Sequence, residues 1–277
     1  MSAVVSLERP EIKPPALPGS SWVVVRRNLI HIKRMPELLL DVTIQPVMFV
    51  LLFAFVFGGA IQVPGNFDYK EFLVPGIMAQ TMAFASFIVA IGLVNDLDKG
   101  IVDRLKSLPI SRSSILVGRS VSSLIHSSIG IGVMALTGLA IGWRAHNGFT
   151  DTVLGFALLL LFGFSMIWLG IWVGSSMRSV ESVNGVMFTT MFPITFVANT
   201  FAPTQGMPDW LATIAEWNPI SALVQALRDL WGNGLPATGN EAWPLQHPVV
   251  TTVIWAVGLT AIFAPLAVAS FRRRSRD

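Results

Sequence analysis

The side chains able to do chemistry are few and scattered. The 4 histidines, His31, His126, His146 and His247, stand far apart, and no HExxH sequence places two of them on one helix face for a metal. A glycine-rich GxxxxGK(S/T) loop that would cradle nucleotide phosphates is absent, so the chain has no such motif of its own for ATP. With Cys 0, disulfides, thiolate zinc sites and iron–sulfur clusters are excluded. Ion-coupled transporters place carboxylates inside their membrane spans. Here Asp41 and Glu181 lie at the edges of apolar runs, and none lies at the centre of one. The ionisable group deepest in a run is His126, among Ser122, Ser123, Ser127 and Ser128. It sits about 16 Å beyond Ile115 along a helix. A charged imidazole at that depth is costly, so a neutral ring bonded across helices fits, as does a contact on a substrate path. Neither hydrolysis nor redox chemistry emerges, and the energy for any work must come from outside the chain.

The elements that would position these residues are membrane helices. Of 277 residues, 53% are hydrophobic and 13% charged, about half the charge of a soluble domain; the mean hydropathy is +0.64. Six apolar runs cover roughly residues 38–60, 72–94, 114–141, 152–174, 183–202 and 249–271. Each is long enough as a helix to cross a hydrocarbon core of about 30 Å. The expected fold is therefore all-α, a polytopic protein of six transmembrane helices in a permease domain over 37–277. Pro46, Pro193 and Pro265 predict kinks within spans, and the pairs Gly138/Gly142 and Gly170/Gly174 mark faces where backbones can approach.

The pI of about 9.7 does not indicate nucleic acid, because the basic residues flank apolar runs as topology determinants do. With both termini in the cytoplasm, all of the 19 Lys and Arg fall inside except Lys70, Arg144 and Arg228. The positive-inside rule then fixes a multi-pass protein with both ends cytoplasmic. Residues 1–20 carry Pro10, Pro14, Pro15 and Pro18 without an apolar core and read as a disordered cytoplasmic tail, not a secretory signal.

Three further pieces do not span. Within 21–36, Trp22, Val25, Leu29 and Ile32 share one helical face, with Arg26, Arg27, Lys33 and Arg34 mostly opposite. This pattern suits a helix lying in the headgroup plane, or a plain basic anchor beside the first span. Over 95–109, Leu97, Ile101, Leu105 and Leu108 recur at helical spacing among Asp96, Asp98, Lys99, Asp103, Arg104 and Lys106. Such a short amphipathic helix either docks a soluble partner or packs on its own bundle. Mixed charge favours docking. The segment 203–248 holds two helices, one from Pro208-Asp209 through Trp217 and one over 220–231, broken at Asn218-Pro219. Each is too short to span, yet the pair is apolar, as in a re-entrant hairpin dipping from the outer surface between spans five and six. Trp210, Trp217, Trp231 and Trp243 suit a membrane–water boundary.

Two of these blocks carry a resemblance. The stretch DLDKGIVDRLKSLPISRSSILVGR (96–119) and the stretch MPDWLATIAEWNPISALVQALRDL (207–230), after the second and fifth spans, are similar to type-2 ABC exporter permeases. The branch resembled is that of the daunorubicin/doxorubicin-resistance permeases. The resemblance implies a working unit of two permeases, here a homodimer in the cell membrane, with two separate ABC ATPase subunits. ATP and magnesium would be held by those partners, and no cofactor by this chain. It implies that 22–35 and 95–109 contact the ATPase, through Trp22, Arg26, Arg27 and Leu29 and through Asp96, Leu97, Lys99, Ile101, Asp103, Arg104, Leu105 and Leu108. It also implies that the hairpin, with Trp210, Trp217, Asn218, Pro219 and Arg228, closes the outer end of the pathway.

The expected function is outward movement of a hydrophobic or amphiphilic substrate, such as a drug, antibiotic, lipid or lipid-linked molecule. Two other classes compete: a secondary transporter driven by an ion gradient, and a membrane enzyme or assembly subunit that transports nothing.

Overall fold

The computed structural model describes residues 25–26, 30, 40–58, 68–100, 112–234, 239 and 241–274. The tail over 1–20 lies outside them, as do Trp22, Arg27 and Leu29 of the expected interface helix and Ile101, Asp103, Arg104, Leu105 and Leu108 of the expected docking helix. Val25, Arg26 and Ile30 are helical, with Val25 buried and the other two exposed. Every regular element among the described residues is a helix.

Helix α1 (Leu40–Leu52) runs on as a π-helical turn over Phe53–Phe57. Helix α2 spans Tyr69–Asp98, α3 Arg112–Ile141, α4 Phe149–Ser176 and α5 Val180–Val197. The pair α6 (Asp209–Glu216) and α7 (Pro219–Trp231) follows, then α8 (Trp243–Gln246) and α9 (Pro248–Arg274). Among the described residues, α2, α4, α5, α9 and the Ser114–Ile141 part of α3 are long and apolar enough to cross a membrane, 5 in all; the first expected span appears as a shorter apolar helix, Thr43–Val56.

Local chemistry sets the boundaries. The Asp68 carboxylate caps α2 by accepting from the Lys70 N–H at 3.0 Å, and Ser179 caps α5 by accepting from the Ser182 N–H at 3.2 Å. Asn218 caps α7 with Pro219 in its first turn, and Gly232 ends that helix at a φ of 72°. Two expectations need correction. Residues 95–98 are not the start of a separate helix; they form the last turn of α2, and the chain turns at Lys99-Gly100, where Gly100 has a φ of 65°. The fifth span stops at Val197 rather than 202, because Ala198 turns to extended backbone.

Helices α2 and α4 are the centre, each about two-thirds buried along its apolar window, 67% and 61%. Lipid tails are as apolar as leucine, so such a pair is held by close van der Waals contact rather than by exclusion of water. Glycine permits that contact: a Cβ at Gly174 would stand 2.7 Å from the Ala90 carbonyl oxygen, and one at Gly170 would strike the Ser86 carbonyl. Gly138 similarly lies against Val74 and Trp143. Gly142 does not pack; at a φ of 110° it follows the last residue of α3. Helices α3, α5 and α9 are peripheral, with 28%, 22% and 17% of their apolar windows buried. Their free faces, including Leu136, Phe188 and Ile254, are apolar and suited to lipid or another apolar surface.

Candidate functional site

The charged residues of the bundle collect at its two ends, while Gln80, Ser86, Ser127 and Ser165 are buried between them. At one end α7 donates Arg228, which is 1% exposed. Its Nε donates to the Phe72 carbonyl at 3.0 Å, Nη1 to the Asn199 carbonyl at 3.0 Å and Nη2 to the Thr200 carbonyl at 3.1 Å. The guanidinium carbon lies 3.4 Å from the centre of the Phe72 ring. One planar fork therefore joins α2, α7 and the turn after α5, and only arginine has the donor geometry to do so. The early stop of α5 now has a reason, since the residues that leave the helix present their carbonyls to Arg228. Gly76 admits that turn: a Cβ there would lie 2.6 Å from the Thr200 oxygen.

The same end carries a second layer of bonds. Asn218 Nδ2 donates to the Ile194 carbonyl at 2.7 Å while its Oδ1 caps α7 at the Ile220 N–H, so the break between α6 and α7 is fastened to α5. Trp231 Nε1 donates to the Thr152 carbonyl at 3.2 Å, and Trp143 Nε1 donates to Asn233 Oδ1 at 3.0 Å. His146 pairs with Glu71 at 2.8 Å, closing the α3–α4 connection onto the start of α2. Trp210, Trp217 and Trp243 are exposed, but Trp231 is fully buried against Trp143 and Phe156. The expectation that Trp231 stands at a boundary is therefore corrected: its ring fills the space left by Gly155, where any Cβ would overlap the indole.

At the opposite end the bonds are between charges. Asp96, on the last turn of α2, pairs with Arg119 of α3. Asp98 pairs with Arg274 of α9 at 3.4 Å, and Arg274 also donates to the Gly174 and Met177 carbonyls at the end of α4. Gly92 leaves room for the Arg119 guanidinium, because a Cβ there would lie 2.6 Å from Nη2. Leu97 packs on the bundle beside Leu93, Leu116 and Phe271, whereas Lys99 is exposed. Of the residues expected to dock a partner, Asp96 and Leu97 are thus engaged within the chain, and Lys99 points away where the described helix ends.

His126 is half-buried on α3; nearby, Ser122 and Ser128 donate to carbonyls of their own helix, Arg119 and Leu124. No group of three metal-ligating side chains occurs among the described residues. A column of rings runs beside α5. Phe188 and Phe192 stack at 5.1 Å, Phe192 and Phe196 at 4.2 Å, Phe196 meets Phe201 at 5.4 Å, and Phe201 stacks on Phe53 of the π-turn at 4.4 Å. The sequence reading missed this column, although the spacing of Phe188, Phe192 and Phe196 at every fourth position announces a single helix face.

A profile of the ABC-2 type transporters matches residues 20–230, which takes in α1 to α6, nearly all of α7, and both Arg228 and the Asp96–Arg119 pair. The chain belongs to the ABC-2 type transporter family. Among curated relatives of this ABC-2 chain is a daunorubicin resistance ABC transporter permease of Streptomyces coeruleorubidus, 28% identical over 90% of this chain and 84% of the relative. A probable doxorubicin resistance ABC transporter permease of Mycobacterium tuberculosis is 24% identical over 96% of both chains. A probable multidrug ABC transporter permease of Escherichia coli is 26% identical over 68% of this chain and 51% of its own. This ABC-2 chain is accordingly a membrane subunit of an ABC transporter, and the resemblance read from residues 96–119 and 207–230 holds along most of its length.

Proposed function

We propose that this ABC-2 chain is the permease of an ATP-driven exporter for hydrophobic or amphiphilic drugs and related lipophilic compounds. The observation that carries the reading is the family match over residues 20–230 together with a bundle whose helix ends are joined by ion pairs where the 99–111 segment leaves α2. In this reading six spans cross the cell membrane, α1 with its π-turn being the first. Both termini and the Asp96 end face the cytoplasm, and the Arg228 end faces outward. The α6–α7 pair is a re-entrant hairpin, whose Asn218-Pro219 break is sheltered by protein as non-helical backbone at membrane depth must be.

A separate ABC ATPase, in two copies with ATP and magnesium, docks on the interface helix 21–36 and on the loop after α2, through Lys99, Ile101, Asp103, Arg104, Leu105 and Leu108. Two copies of the permease form the channel. Closure of the ATPase dimer pushes on the loop, and the Asp96–Arg119 and Asp98–Arg274 pairs pass the push to α3 and α9. The cargo's apolar part moves along the phenylalanine column, where rings offer contact without hydrogen-bond demands.

The decisive experiment reconstitutes the permease with its ATPase in vesicles and follows dye or drug movement under ATP, and separately under a proton or sodium gradient without ATP. Movement under ATP alone is expected; movement under a gradient alone would overturn the proposal. Leu105→Asp should abolish copurification of the ATPase while the permease remains monodisperse.

A further inference from the structure

Helix α6 turns its amphipathic pattern inside out. Glu216 points into the protein, where one carboxylate oxygen accepts from the Ala242 N–H at 3.0 Å and the other from the Thr204 hydroxyl at 3.5 Å. The face turned away from the protein carries Trp210, Ile214 and Trp217, which are 67%, 54% and 55% exposed. They recur at helical spacing and form one stripe from the first turn of α6 to its C-cap, bordered by Asp209 and Thr213. We infer that this stripe seats α6 flat in a membrane–water boundary, its partner being the glycerol and ester layer of the lipid.

Two bonds set the level at which α6 lies. Asn218, just after it, donates to the Ile194 carbonyl, three residues from the end of α5. The bond from Ala242 to Glu216 brings α6 beside Trp243, directly ahead of α9. From there α9 presents Val250, Ile254 and Val257 bare to its surroundings, as a helix in hydrocarbon does. Trp243 is exposed as well, so three indoles gather where the apolar face of α9 begins. An apolar ring with one N–H donor suits that level.

The spacing of Trp210 and Trp217 sets the tilt. Seven helical residues cover about 10 Å along the axis. The layer between hydrocarbon and bulk water is about 5 to 8 Å deep. An upright α6 would carry one ring out of that layer, and a flat one keeps both within it. Lipid charge takes no part, because the one Lys or Arg in 203–248 is Arg228, which is buried. The inference deepens the hairpin of the exporter reading: α7 lies in protein and α6 on lipid. That this boundary is the outer one rests on that reading; the seat in lipid does not.

The test uses the full chain in phosphatidylcholine vesicles. Because the sequence has Cys 0, a single introduced cysteine carries a nitroxide label without ambiguity. Labels on Trp210→Cys, Ile214→Cys and Trp217→Cys are read by power saturation against oxygen and a water-soluble nickel chelate, with Ile254→Cys on α9 as the mark for hydrocarbon. The three α6 labels should report one depth, between bulk water and the Ile254→Cys label. Water access at all three would overturn the inference. So would a depth that differs by about 10 Å between the two tryptophan positions, the sign of an upright helix. Shielding of Ile214→Cys from both relaxants, or its disulfide-linked dimer under mild oxidation, would assign the stripe to protein or to a second copy and also overturn it. Trp210→Ser with Trp217→Ser should move the Ile214→Cys label toward water in monodisperse protein; an unmoved label would remove the rings as the anchor and the inference with them. The measurement needs neither ATP nor the ATPase. A chain with α6 in the boundary that never exports would sink the exporter reading alone, and one that exports with α6 in water would sink this inference alone.

Discussion

The two ends of the bundle solve the same mechanical problem with opposite chemistry. At the Arg228 end a buried cation is shared among three neutral carbonyls, one on α2 and two in the turn after α5. At the Asp96 end two carboxylates meet two guanidiniums near the surface, with Asp98 46% and Asp96 28% exposed at the side chain. Carbonyl oxygens do not titrate near neutral pH, and the buried fork of Arg228 holds three of them at once, so the first arrangement is a fixed joint. Partly exposed ion pairs are screened by salt and weaken with small displacements. Under the proposed function the second would yield where the ATPase pushes, and the first would hold the outer end of the pathway.

Removing the fixed joint should have the largest effect. Arg228→Met leaves three buried carbonyls without donors, at about 1 to 3 kcal/mol each, and should abolish monodisperse folded protein in size-exclusion chromatography. Arg228→Lys keeps the charge but not the fork, and should restore only part of the thermal unfolding midpoint. A fully stable Arg228→Met variant would break the contrast between the two ends.

Next in size is the glycine contact that ties them together. Gly170→Ala drives a methyl group into the Ser86 carbonyl, and overpacking of this kind costs about 1 to 3 kcal/mol. A lowered unfolding midpoint is expected, with Gly185→Ala, where a Cβ meets open space, as the silent control.

Smaller effects on folding are expected at the yielding end. Asp98→Asn should cost at most about 1 kcal/mol, as exposed pairs do, and the difference from the parent protein should vanish in high salt. Asp96→Asn should cost somewhat more, because Arg119 is 17% exposed at the side chain and its Nε is buried without a hydrogen-bond partner. Both variants should lower ATP-driven transport more than they lower stability. Unchanged transport in Asp96→Asn and Asp98→Asn together would remove the role assigned to these pairs.

Much of this was legible in the residues. Five apolar runs become long helices, and Asn218-Pro219 separates α6 from α7 as a cap followed by proline should. Residues whose partners lie far along the chain were not legible. Arg228 reads as one of three basic residues on the outer side until Phe72, Asn199 and Thr200 are seen to converge on it. Asn95–Asp98 read as part of a separate amphipathic helix, because nothing local distinguishes a helix that continues from one that restarts; Arg119 and Arg274 decide the matter from 23 and 176 residues away. Trp231 reads as an interface residue because tryptophan favours that depth, and only the missing Cβ of Gly155 shows where the ring goes.

The seam between α2 and α4 has a further consequence. Where Gly170 and Gly174 meet Ser86 and Ala90, main chain rests on main chain with no side chain between to swing or repack. Those two helices must therefore travel as a single slab through any transport cycle. Helix α9 lies packed along α4 and belongs with that slab, so the sliding surfaces lie at the more loosely attached helices α3 and α5.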